Sequence, residues 1–101
     1  MATTKTTYPF EPDYAVAPGE TLAETLASLG MSQAELALRT GLTNVSVNRI
    51  IKGEQPITAE IANMLELATG VPASMWNNLE THYREQLAKI EERERFQKEQ
   101  T

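Results

Sequence analysis

Apolar residues recur along most of this chain at spacings of three and four, the period of a helix, and no segment reads as a strand. Leu22, Leu26 and Leu29 form one such stripe, opened by Pro18-Gly19-Glu20 and stopped by Gly30. Proline suits a first helical turn because its missing N–H would be unpaired there anyway. Ser32 is placed to cap a second helix, with Glu35 completing a capping box, and Ala34, Leu36, Ala37 and Leu38 crowd it with small and medium apolar groups. Arg39-Thr40-Gly41 closes it, with Gly41 where a tight turn needs positive φ. A third helix, capped by Thr43, runs to Lys52 and stops at Gly53, with Val47, Ile50 and Ile51 on one face. Thr58 caps a fourth, which turns Ile61, Met64, Leu65 and Ala68 inward and ends at Gly70. Pro72 and Ser74 start a fifth, on which Trp76, Leu79, Tyr83, Leu87 and Ile90 are spaced 3, 4, 4 and 3. Beyond Ile90, EERERFQKEQT is almost wholly polar. The pattern predicts an all-α domain.

Residues 1–17 break this rhythm. They hold threonines, Pro9 and Pro12, and are expected to form an extended arm. Tyr8, Phe10 and Tyr14 in it either pack across the domain's flank or form a docking strip for a partner. The organisation expected is an arm (1–17), a folded domain (18–90) and a charged helical tail (91–101). At 101 residues the chain has room for one small core and none for a two-lobed enzyme. It has no cysteine, which removes disulfides, thiolate metal sites and cysteine nucleophiles. No apolar run approaches a membrane span and the N-terminus lacks a signal-peptide stretch, so a cytoplasmic protein is expected.

Charge is partitioned. The chain as a whole carries −5. From Ser32 to Lys52 there are three basic residues (Arg39, Arg49, Lys52) and one acid (Glu35), a net of +2, whereas the remainder carries six basic and thirteen acidic residues, a net of −7. The one basic excess lies over SQAELALRTGLTNVSVNRIIKG, two short helices joined by about four residues with glycine in the turn, which describes a helix-turn-helix. An α-helix fits the B-DNA major groove and offers its N-terminal residues to base edges. Asn44 can pair bidentately with adenine, Arg49 with guanine or a phosphate, and Val45 can touch a thymine methyl. Ser32, Gln33, Ser46 and Lys52 are placed for phosphates, and the start of the second helix adds partial positive charge there. Arg39, Thr43 and Asn48 complete the candidate DNA-binding set. With so few cations, nonspecific affinity should be weak and salt-sensitive, and useful affinity should require two copies acting together.

The same stretch resembles the Xre/Cro-type helix-turn-helix of repressors, in its SQ-x-x-LA, the following glycine, the Thr-led helix and I-x-x-G. Over roughly residues 15–85 the chain resembles the HigA antitoxin family through three motifs in order: Pro18-Gly19-Glu20-Thr21-Leu22, the segment from Gly53 to Ala62 (GEQPITAEIA), and Pro72-Ala73-Ser74-Met75-Trp76-Asn77-Asn78-Leu79. The resemblance implies a five-helix, lambda-repressor-like DNA-binding domain that forms a homodimer. It also implies binding to an operator in its own promoter and neutralisation of a RelE-like ribonuclease toxin. Dimerisation in that family usually involves the C-terminal part, so Trp76, Leu79 and Tyr83 anchor either the dimer or the intramolecular core. The chain departs from the family in the length of its arm and in a C-terminus that ends inside a charged helix. A similar domain heads longer ImmA/IrrE-like metallopeptidase regulators, and a protein-interaction module without DNA binding is a further alternative. His82 is the lone histidine and is followed by Tyr83 and Arg84, not by an HExxH spacing. With no catalytic triad and no phosphate-binding loop, the sequence predicts no enzyme, no metal site and no cofactor.

Overall fold

The structure, a computed structural model, describes residues 15–100, with side-chain surroundings through residue 98. The arm aromatics Tyr8, Phe10 and Tyr14 lie outside the described residues. Five helices follow in order: α1 (Pro18–Leu29), α2 (Gln33–Thr40), α3 (Asn44–Ile51), α4 (Ala59–Thr69) and α5 (Ala73–Gln100). Among the described residues there is no strand. Three caps form where the sequence places them: the hydroxyls of Ser32, Thr43 and Thr58 accept from the backbone N–H of Glu35, Ser46 and Ile61. Each satisfies one of the donors a helix start leaves unpaired.

The core is built from Leu22 and Leu26 of α1, Leu36 and Ala37 of α2, Val47 and Ile50 of α3, Ile57, Ile61, Ala62 and Leu65, and Trp76 at the start of α5. Trp76 is its largest fully buried side chain. The Trp76 Nε1–H is buried without a hydrogen-bond partner among the described residues, a cost of about 1–3 kcal/mol that the burial of so large a ring outweighs.

At four places the structure departs from the pattern read along the sequence. Leu29 extends the α1 stripe in sequence but stands half-exposed, as the last residue of the helix before the left-handed Gly30 cap. Leu38 is 85% exposed, since α2 turns only Leu36 and Ala37 inward. Ala34, another of the small apolar residues of that helix, is likewise exposed, whereas Ala37 is buried. The capping box is half made: the Glu35 carboxylate reaches forward to Arg39, at 3.2 Å from Nε and 2.7 Å from the terminal nitrogen, not back to Ser32.

α5 behaves differently from the other helices. Its first turns lie against α4 and α1, but after Trp76 the stripe of Leu79, Tyr83, Leu87 and Ile90 is only half-buried. The helix runs through Ile90 without a break, so the change there from apolar to polar is one of surface, not of backbone. At 28 residues it is about 42 Å long, longer than the bundle can cover.

Candidate nucleic-acid interface

α3 has eight residues, too few to hold together alone in water. Tertiary packing fixes it. Val47 and Ile50 are sunk in the core, and α1 and α2 both pack against the helix. The connection from α2 is three residues, Gly41, Leu42 and Thr43, made possible by Gly41 at φ 80°. Thr40 braces the turn: its hydroxyl donates to the Leu36 carbonyl at 2.8 Å and accepts from the Leu42 N–H.

The far end of α3 is seated on Gly19. A Cβ at that position would overlap the carbonyl oxygens of Ile50 and Ile51 and stand 2.6 Å from the Ile51 carbonyl carbon. The Pro18-Gly19-Glu20 opening is therefore more than a helix start, because only a residue without a side chain lets the first turn of α1 lie on the last turn of α3. The loop after α3 folds back on it, with the N–H groups of Glu54 and Gln55 both donating to the Arg49 carbonyl. From the other side the Glu80 carboxylate accepts from the Ile57 N–H at 3.1 Å and from Arg84 Nε at 2.6 Å.

So held, α3 turns its second face outward. Asn44, Val45, Arg49 and Lys52 are exposed, Val45 to 60%. Among the described residues neither Arg49 nor Lys52 makes a side-chain hydrogen bond or ion pair. Thr43, Ser32 and Gln33 lie exposed at the starts of α3 and α2. Ser46 and Asn48 are half-buried and partnered: Gln55 Nε2 donates to Ser46 Oγ at 2.8 Å, and Asn48 Nδ2 donates to Gln33 Oε1 at 3.4 Å. Arg39 stays exposed but is paired with Glu35 along the helix surface, a solvent-screened contact of little strength that a phosphate can replace. Of the anchor residues, Trp76 belongs to the intramolecular core, while Leu79 and Tyr83 sit half-buried along α5.

Two residues of this assembly fall inside motifs of the family resemblance, but their roles are not readable from sequence. Gln55 reaches Ser46 across nine positions. Gly19 meets the end of α3 more than thirty positions away.

Comparison with known proteins follows the same outline. A helix-turn-helix family matches residues 22–76, more than half of the chain. No curated protein matches the sequence. Among solved structures, a protein from Nostoc punctiforme described as an antidote of a plasmid maintenance system superposes with a TM-score of 0.81 at 28% identity, covering 87% of this chain and 97% of that one. An addiction module antidote of the HigA family from Coxiella burnetii superposes at 0.75 with 32% identity, over 85% of this chain and 95% of that one. The antitoxin HigA of Pseudomonas aeruginosa, solved with the higBA promoter, superposes at 0.74 with 28% identity, over 81% and 90%. The short glycine-turned pair α2–α3, the five-helix order and these matches together place the chain in the Xre-like helix-turn-helix family, beside the HigA-type antitoxins.

Proposed function

We propose that this protein is a sequence-specific DNA-binding transcriptional regulator, the antitoxin of a HigBA-type pair, with no catalytic activity and no cofactor. The observation that carries the reading is the outer face of α3, where Asn44, Val45, Arg49 and Lys52 stand in solvent while Val47 and Ile50 lock the opposite face. Asn44 and Arg49 supply the bidentate donors and acceptors that discriminate adenine and guanine in the major groove, and Val45 meets a thymine methyl. Ser32, Gln33, Arg39, Thr43, Ser46, Asn48 and Lys52 frame that face and hold the phosphates or the orientation of the readers. That a neighbouring antitoxin was solved with its promoter supports the same use of the fold.

The half-covered stripe of α5 supplies the dimer. Leu79 packs partly against the core, and Tyr83, Leu87 and Ile90 beyond it keep half-exposed apolar surface that a second copy can cover. Two copies set two α3 helices into adjacent major grooves, about 34 Å apart. Autorepression and neutralisation of a RelE-like ribonuclease toxin complete the proposal; that a similar antitoxin was solved with the higBA promoter supports the autorepression. A gel shift on the DNA immediately upstream of the gene tests the first part. Retention of the product of an adjacent small open reading frame, co-expressed with this chain and purified through it, tests the second. No shift of the upstream fragment at low salt contradicts the regulatory reading, and free elution of the small protein contradicts the antitoxin reading.

A further inference from the structure

Ser46 differs from three helical threonines in how its hydroxyl is used. Thr25, Thr40 and Thr69 each donate the hydroxyl proton to the carbonyl four residues earlier, at 2.7–2.8 Å, the usual way a helical hydroxyl is satisfied. Ser46 does not. Its one side-chain hydrogen bond among the described residues is the one it accepts from Gln55 Nε2, so its own proton is unspent. Gln55 in turn is not free to wander, because its backbone N–H is tied to the Arg49 carbonyl at 3.3 Å and Glu54 beside it at 2.8 Å.

We infer that Gln55 is a positioning residue for DNA binding: by occupying a lone pair of Ser46 Oγ it fixes that hydroxyl as an outward donor to a backbone phosphate. The inference rests on the reading of α3 as the DNA-contacting helix. A hydroxyl rotates to suit its partners. With an amide N–H already pointed at its oxygen, the Ser46 proton turns away from Gln55 and toward the open side, which it shares with Arg49 three residues on. A phosphate oxygen is an acceptor only, so a pre-aimed donor is the complementary group. Ser46 is half-buried and short, which seats it against the groove wall rather than its floor and makes a phosphate its partner, not a base edge.

The experiment uses full-length protein and a duplex selected by the wild type from a random library, with binding followed by fluorescence anisotropy and folding by the emission of Trp76, the single tryptophan. Ser46→Ala and Gln55→Ala should each weaken binding about 2- to 10-fold, with unfolding midpoints near wild type. The double variant should bind no more weakly than the weaker single one, the sign of two residues acting as a unit. Gln55→Glu should cost about tenfold or more, because its carboxylate recaptures the hydroxyl proton and faces the phosphate with like charge. Part of that loss should vanish in a Ser46→Ala background. The losses should be uniform across single-base variants of the duplex, as for a phosphate contact. Wild-type affinity in Gln55→Ala, losses that multiply in the double variant, or a loss confined to one base pair would each overturn the inference while leaving the DNA-binding reading intact. Failure of the wild type to select any sequence would overturn that reading, and the inference with it.

Discussion

α3 and α5 are opposite solutions to being a helix. α3 has eight residues and owes its existence to its neighbours: Val47 and Ile50 in the core, Gly19 beneath its last turn, and a loop folded back onto the Arg49 carbonyl. α5 has 28 residues, is locked in place by Trp76 near its start, and then runs on with its apolar stripe only partly covered. A helix held on all but one side presents its remaining face in fixed geometry, which recognition of base edges requires. A helix half-covered over several turns retains apolar surface that association with another chain can bury.

That contrast can be broken at its root. Trp76→Ala, which removes the shared anchor of α5 and the core, should cost about 3–5 kcal/mol, measured by urea unfolding followed by circular dichroism. Gly19→Ala should cost about 1–3 kcal/mol through overpacking. It should weaken DNA binding even at temperatures where the fold survives, because the added methyl pushes on the last turn of α3 alone. Normal DNA affinity in a folded Gly19→Ala protein would show that the seat of α3 is not what fixes its pose. On α5 the expectation reverses. Leu87→Ala should leave the unfolding of a monomer nearly unchanged, yet shift sedimentation toward monomer by about 1–2 kcal/mol of association energy. Lys52→Ala should have the smallest effect, an even loss across DNA sequences and a salt dependence shallower by about one unit of slope.

The sequence carried the helices and their starts because those signals are local. Ser32, Thr43 and Thr58 act on donors three residues away, within reach of any reading of adjacent residues. The outward placement of Asn44 and Arg49 was legible for the same reason, since Val47 and Ile50 mark the inner face of the same short helix. Composition misled at Leu38, where an apolar residue sits on the wrong side of its helix to be buried. At Glu35 two local rules competed for one carboxylate, and the pair with Arg39 prevailed over the capping box. Gln55 and Gly19 were out of reach, because their roles depend on the path of a loop and the crossing of two helices.

The central claim is that α3 faces DNA with Asn44 and Arg49. Its most direct test is the equilibrium affinity of the Asn44→Ala/Arg49→Ala double variant for the DNA upstream of the gene, compared with an unrelated duplex of equal length at the same salt. The account predicts that the preference for the upstream DNA is lost while the unfolding midpoint stays near wild type, with about 1–3 kcal/mol forfeited for Arg49 alone. Undiminished preference in the double variant would contradict it.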